Sequence, residues 1–473
     1  MSANLYIAII GAGASGTVTA IQLMQKLQVP ATIYLIEKNP ETLFRGVAYS
    51  SVLPYQPLNV QAGRMSIYNQ APDDFYDWLK THKQDESETE ITRDSFVSRR
   101  WFGDYLVASF EQEKARSQWV TVEIVISSCN NLDFDFNSSQ YKLELSNGNN
   151  LSTQYVVFAC GNEQPGAVIE PAATAQLDGR YVENPWLSDT LKQIQAEEDV
   201  LVIGNGLTMV DHVVSLMKQQ HKGKIYTISR NGYLPLQHDD IQHFTFEVSH
   251  EPTKSEEILS LLKQNIAKAT LLKVSWQNVM DAMRPHTSRF WKGLSLTQKD
   301  LFLKKLRTYW EIHRHRMPQA SANALQQLQQ SGQLEVLAGS YISVTKNGNT
   351  IDFTYQNKAK KHRQSVTVHR ILNCTGPSTD YLKTDNILFK NLLAKEWMKQ
   401  DALKLGIETG FRGEVIKRSG VILQNTFTIG PVRRATEWET TAIREIRTQA
   451  ENVAIAVAFP AERSYDMASE TGL

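Results

Sequence analysis

Leu5-Tyr6-Ile7-Ala8-Ile9-Ile10-Gly11-Ala12-Gly13-Ala14-Ser15-Gly16 begins as an apolar strand, tightens into a glycine-rich turn, and leads into an apolar helix starting Thr17-Val18-Thr19-Ala20-Ile21. The turn completes the pattern G-x-G-x-x-G. Its glycines permit a sharp reversal, a bare backbone beside a pyrophosphate, and close packing of helix on strand, while the helix N-terminus attracts the anion. Ala14 and Ser15 lie inside that turn. The next apolar run, residues 32–36, ends at Glu37-Lys38, where a carboxylate accepts both hydroxyls of an adenosine ribose.

A second turn of the same kind follows Val200-Leu201-Val202-Ile203 and reads Gly204-Asn205-Gly206-Leu207-Thr208-Met209, with Asp211 just inside the helix. Met209 stands where the third glycine would be. One strand later the chain reaches Ser229-Arg230 rather than a carboxylate. A hydroxyl and a guanidinium suit the 2′-phosphate of NADPH, because the planar fork of arginine matches phosphate oxygens. Either turn alone is compatible with a packing role only. Together, each with its partner residue one strand on, they read as an FAD site followed by an NADPH site.

The expected architecture is therefore α/β with two dinucleotide-binding, Rossmann-like domains. Residues 1–185 are expected to form the first part of the FAD domain, 186–377 the NADPH domain with a helical insert at 254–331, and 378–473 the second part of the FAD domain. A chain of 473 residues, 41% hydrophobic, is long enough for two cores. Fifty basic residues balance fifty acidic ones, which argues against nucleic acid or an anionic membrane as partner. No apolar run approaches the ~20 residues of a membrane span, and no basic leader precedes the first strand, so a cytoplasmic location is expected. Cys129, Cys160 and Cys374 form no C-x-x-C pair, which removes dithiol chemistry, and no metal site is expected.

After Glu37 the stretch 44–66 is too rich in Gly, Pro and Asn for a helix and lacks strand alternation, as an ordered loop around a flavin would. Asn59, Met65 and Ser66 are its candidate contacts. Residues 72–80 and 99–116 read as helices and 84–90 as a solvated polar loop. Strands are expected near 120–127, 131–136 and 140–145. Two buried strands end in glycine, Tyr155-Val156-Val157-Phe158-Ala159-Cys160-Gly161 and Arg370-Ile371-Leu372-Asn373-Cys374-Thr375-Gly376, and these glycines are candidate cofactor contacts at the return points of the two domains. Leu207, Thr208 and Gly430 join them. The basic hairpin tip at 358–363 reads as a solvated turn. A last helix is expected to begin near Glu439, its amides facing the flavin ring.

Several segments carry a closer likeness: Gly46-Val47-Ala48-Tyr49, the run from Leu58 to Ser66, Arg99-Arg100-Trp101-Phe102-Gly103-Asp104, Gly206 to Asp211, Tyr309 to Arg316, and Trp438 to Arg447. Over nearly the whole chain they resemble the bacterial FAD/NAD(P)-binding family that includes an FAD-dependent urate hydroxylase and nitrosuccinate-forming L-aspartate N-monooxygenases. The chain departs from broader flavoprotein patterns at Gly430-Pro431, where Gly-Asp usually holds the ribityl chain.

With no dithiol to receive electrons, reduced flavin is expected to pass them to molecular oxygen, and the protein to supply position, charge and dryness. A small anionic substrate would need a cationic clamp. Arg64, Arg284, Arg289 and Arg434, the last beside Arg433, are the candidates. His313-Arg314-His315-Arg316 are consecutive on a helix and cannot all face one ligand. Trp291, Tyr309 and Trp310 read either as walls of a planar site or as core. The resemblance implies N-hydroxylation of an acidic amino acid such as L-aspartate, or hydroxylation of a urate-type heterocycle. From another class, an NADPH-binding flavoprotein acting as a redox sensor or partner-binding protein satisfies the same motifs. The oligomeric state is left open.

Overall fold

The computed structural model describes residues 4–50, 56–87, 89–187 and 190–460. Residues 51–55 of the expected flavin loop, residue 88 of the polar loop and the end of the last expected segment lie outside them. Strands β1 (Leu5–Ile10), β2 (Ala31–Glu37), β3 (Val120–Ile126) and β7 (Tyr155–Phe158) form a parallel sheet joined from the C-terminal part by β16 (Ile422–Thr428) and, antiparallel at the edge, β15 (Glu414–Ile416). The order is β15-β16-β7-β1-β2-β3. Ile7 to Ile10 and Val156 to Phe158 are buried, as parallel strands covered on both faces must be.

One face of this sheet carries α1 (Ala14–Lys26), α3 (Arg99–Arg116) and the last helix, α12 (Ile443–Ala458). The short helix α2 (Asp74–His82) packs against α3. The other face is covered by a small antiparallel sheet, β4 (Cys129–Asp135), β5 (Gln140–Leu145) and β6 (Asn150–Thr153), and by α11 (Ile387–Ala394).

The second sheet runs β13-β12-β11-β10-β9-β14-β8. Its parallel part is β8 (Tyr181–Val182), β14 (Arg370–Asn373), β9 (Val200–Ile203), β10 (Ile225–Ser229) and the start of β11 (Leu334–Asn347). Beyond it β11 turns antiparallel to β12 (Thr350–Asn357), which pairs with β13 (Arg363–Val368). Helices α5 (Leu207–Lys218) and α10 (Gln319–Gln330) cover one face. Between β10 and α10 run α6 (Ser255–Leu271), α7 (Trp276–Gly293), α8 (Leu296–Lys305) and α9 (Arg307–Arg314), inside the stretch expected to be helical. A short helix, α4 (Pro171–Thr174), precedes β8.

Three boundaries differ from the sequence reading. The chain enters the second sheet before residue 185, because Tyr181 and Val182 pair with Ile371 and Leu372 while Ile169 and Leu177 join that sheet's core. Helix α1 starts within the glycine turn, at Ala14, with Gly13 as its cap. Helix α12 starts at Ile443 and not near Glu439. Thr440 is held in the preceding turn, its hydroxyl donating to the Gly430 carbonyl at 2.9 Å and accepting from Gln449 at 2.8 Å.

The helical insert is docked on the first sheet's C-terminal part. Trp291 Nε1 donates to Ala435 O at 2.9 Å, and Trp291, Leu294, Leu405 and Trp438 share one apolar cluster. Trp291 is thus core, not a site wall. At the junction of the two sheets, Arg99 of α3 donates to Asp211 of α5 at 3.0 Å, both nearly buried, and Gln56 donates to Ser215 at 3.3 Å.

Candidate functional site

Around the first turn every glycine has a steric reason. Gly11 sits at φ +100°, and a Cβ there would lie 2.4 Å from Ala159 O. A Cβ on Gly16 would lie 1.9 Å from Gly11 O, so α1 packs on β1 only with glycine at that position. Gly13 differs from expectation. A Cβ there meets the Cα of Gly46 at 2.9 Å, so this glycine admits the following loop. Phe44 N donates to Ala12 O at 2.7 Å and holds that loop down. Glu37 is buried and already oriented, its Oε2 accepting from Ala12 N at 3.0 Å and its Oε1 from Asn39 N at 3.1 Å. Each oxygen keeps a lone pair for a ribose hydroxyl. This donor and acceptor set fits the adenosine diphosphate half of FAD. Lys38 is exposed beside it.

The second turn repeats the first. Gly204, at φ +104°, would place a Cβ 2.3 Å from Cys374 O, as Gly11 does against Ala159 O. Met209, in the third-glycine position, is fully buried in the core beneath α5. At Gly206, Gly161 and Gly376 an added Cβ would meet nothing within 4 Å, so the backbone is approachable there. The side chain of Asn205 is buried between the two glycines, and among the described residues neither of its amide atoms has a hydrogen-bond partner. Such an orphaned amide at the N-terminus of α5 (Leu207–Lys218, with Thr208 in its first turn) fits a polar nucleotide. Ser229 ends β10, and Arg230 is exposed with no side-chain partner among the described residues.

Arginines converge where the flavin loop, the insert and α12 meet. Arg64 donates to Asp281 Oδ2 of α7 at 3.0 Å, and Arg316 pairs with the other oxygen of the same carboxylate. One turn along α7, Arg284 donates to both oxygens of Glu445, at 2.8 and 2.6 Å. Arg447 donates to the carbonyl of Ser66 at 2.8 Å. Arg444, in the first turn of α12, is exposed and has no side-chain hydrogen bond or ion pair among the described residues. Its pKa is lowered, by desolvation first and then by the charges of Arg284, Arg447 and Arg64, against the opposing pull of Glu445. Behind this group, Arg314 pairs with Glu439 and Arg434 with Glu311, each at 3.2 Å. Although burial opposes ionisation, the His315 hydrogen bond and the charges of Arg434 and Arg307 hold Glu311 down at about 2.

Residues 8–163 match the family described as FAD-NAD(P)-binding. The matched segment contains the first glycine turn and Glu37. No curated protein matches the chain by sequence. Solved structures similar to it include an ornithine N-hydroxylase from Kutzneria sp. 744 with reduced FAD, NADP+ and L-ornithine (13% identity, 96% of this chain and 99% of that one, TM-score 0.66). An ornithine hydroxylase from Pseudomonas aeruginosa is 14% identical over 96% of this chain and 99% of its own, at TM-score 0.64. L-lysine 6-monooxygenase from Pseudomonas syringae is 14% identical over 96% and 98%, at 0.65. At these identities the likeness establishes a shared fold, with two dinucleotide-binding domains.

Of the expected substrate arginines, Arg64 and Arg284 stand in the converging group. Arg434 lies behind it, stacked over Trp438 with its guanidinium carbon 4.5 Å from the ring centroid. Arg289 does not join them. At 3.6 residues per turn it sits about 140° around α7 from Arg284, and it pairs with Glu251 and His286 on the insert's outer surface. Met65 and Ser66 are absorbed by the fold: Met65 is core, and the Ser66 hydroxyl donates to Ala71 O at 2.6 Å. Asn59 presents its carbonyl to His238 Nε2 at 3.0 Å. The Gly430 amide donates to Gln449 at 2.8 Å, so Pro431 follows an anchored turn in place of a ribityl-binding aspartate. Arg444 and Arg447 are not among the arginines expected from sequence. Their one local signal is the i,i+3 spacing in Arg444-Glu445-Ile446-Arg447, which puts both on one helix face. Among the described residues no His/Cys/Asp/Glu group could hold a metal, and no helix is long and apolar enough to cross a membrane.

Proposed function

We propose that this chain is an NADPH- and FAD-dependent monooxygenase that N-hydroxylates a small amine bearing carboxylates, with L-aspartate the first choice. FAD and NADPH, when bound, would supply hydride transfer and oxygen activation, with one oxygen atom ending on the substrate nitrogen and the other released as water. The chain's own part is binding and electrostatics. Gly11, Gly13, Gly16 and Glu37 would hold the adenosine diphosphate of FAD; Gly204, Asn205, Gly206, Ser229 and Arg230 would hold NADPH.

The observation that carries the substrate class is Arg444. Among the described residues it has no side-chain hydrogen bond or ion pair, and the charges of Arg284, Arg447 and Arg64 act on it against that of Glu445 where the flavin loop meets α12. A substrate carboxylate relieves that repulsion. The same positive potential lowers the pKa of a bound ammonium group and favours the free amine, whose lone pair N-oxygenation requires. The neighbours named as ornithine and lysine hydroxylases support an amine as the oxygenated group. The likeness to aspartate N-monooxygenases supports the acidic side chain.

The test is NADPH oxidation by the FAD-loaded protein with L-aspartate, L-ornithine, L-lysine and urate, scored for hydroxylated product against hydrogen peroxide. Coupled product with L-aspartate is expected. Coupling with urate or a basic amino acid alone would move the substrate class, and stoichiometric peroxide throughout would favour the redox-sensor alternative.

A further inference from the structure

The basic hairpin tip that reads as a solvated turn in the sequence is folded back onto the end of β10, where a dinucleotide's 2′ group is recognised. Ser229, the last residue of β10, is in register with Ala338 of β11, and Lys358 N donates to Ala338 O at 3.0 Å. This pins Lys358 at the level of Ser229. The tip is well defined: Asn357 Oδ1 accepts from Ala359 N at 3.0 Å and Lys360 N at 2.9 Å, and Lys361 N donates to Asn357 O at 3.0 Å.

The Lys358 ammonium donates to Asn231 Oδ1 at 2.5 Å and lies 5.9 Å from the ring centroid of Tyr233. Both partners belong to the loop that carries Arg230. In that loop Gly232 N donates to Ser229 Oγ at 3.0 Å, which curls Ser229-Arg230-Asn231-Gly232 into a turn and leaves the serine hydroxyl proton free to donate. Neither Arg230 nor Lys358 forms an ion pair with a carboxylate among the described residues. Two uncompensated cations from segments far apart in sequence are thus brought to one strand end. A lysine kept by an amide and an aromatic face, with its charge unneutralised, is placed to meet a dianion.

We propose that Lys358 and Arg230 together bind the 2′-phosphate of the nicotinamide dinucleotide, so that the β12–β13 hairpin is a specificity element for NADPH over NADH. The proposal rests on the reading of the second glycine turn as the NADPH site. It is tested by calorimetric binding of 2′,5′-ADP and 5′-AMP to the full-length protein, which needs no turnover. Wild type is expected to prefer 2′,5′-ADP. Lys358→Ala and Arg230→Ala should each weaken 2′,5′-ADP about tenfold, the worth of one charge-assisted contact, and leave 5′-AMP unchanged. Lys358→Arg should retain most of the preference, and Lys360→Ala, at the exposed tip, all of it. If Arg230→Ala loses the preference while Lys358→Ala keeps it, the hairpin has no part in recognition. If Lys358→Ala weakens both ligands equally, its role is structural and the proposal fails. A wild type indifferent to the 2′-phosphate would instead overturn the NADPH reading itself.

Discussion

Arg444→Ala should damage substrate binding while leaving the fold intact. Among the described residues Arg444 has no ion-paired carboxylate, so its removal strands no buried charge. It also occupies the first turn of α12, where a cation opposes the helix dipole at a cost of about 0.3–1 kcal/mol, and Arg and Ala have similar helix propensity. The variant is therefore expected to be as stable as wild type or slightly more so. The contact it would make is another matter. A hydrogen bond to a charged group contributes about 1.5–3 kcal/mol, which exposure of the guanidinium reduces to roughly 1–2 kcal/mol, or about 5- to 30-fold in kcat/KM. Steady-state hydroxylation of L-aspartate measures the loss. Anaerobic flavin reduction by NADPH and the thermal midpoint are the controls, and neither should fall. Less than a twofold change with full FAD content would refute the clamp. So would an equal loss on a simple alkylamine, because such a substrate has no carboxylate for Arg444 to hold.

Arg284→Ala should act in the opposite way, on stability. Its side chain and that of Glu445 are 11% and 18% exposed, so leaving Glu445 unpaired is expected to cost about 2–4 kcal/mol in urea denaturation, and Arg284→Ala with Glu445→Gln should recover part of it. Gly13→Val places a branched side chain against Gly46 and should yield protein lacking flavin absorbance; full FAD retention would contradict the close packing of Gly13 on Gly46 as a condition for the cofactor site. Burial, with the charge of Arg316 second, pushes His238 down to about 4 from an ordinary 6.5. Between those values the unfolded chain takes up a proton that the folded one refuses. Stability is thus full above pH ~6.5 and falls by about 2–3 kcal/mol as pH drops toward 4, a fall that His238→Asn should abolish in denaturation midpoints measured across that range.

Local patterns in the sequence determined the parts of this protein that depend on near neighbours in the chain. The strand-turn-helix around Gly11–Gly16 is legible because its glycines serve contacts within one supersecondary unit, and Glu37 follows at a distance set by the length of one helix and one strand. The repeat at Gly204 is legible for the same reason, and the buried strands before Gly161 and Gly376 show as unbroken apolar runs. The start of α12 is not legible, because Thr440 bonds to Gly430 and Gln449, contacts that no local propensity reports. Which arginines come together was decided by the tertiary structure alone. Arg284 and Arg289 look alike in sequence, yet helical phase sends one to Glu445 and the other to the outer surface. Arg444 looks like any surface arginine until Arg64, Arg284 and Arg447 are brought around it from the flavin loop, the insert and its own helix. Lys358 reads as a solvated charge until the β11–β12 pairing carries it to the end of β10. Charge is additive over space and indifferent to sequence separation, so a site built from it exists only once the chain has folded.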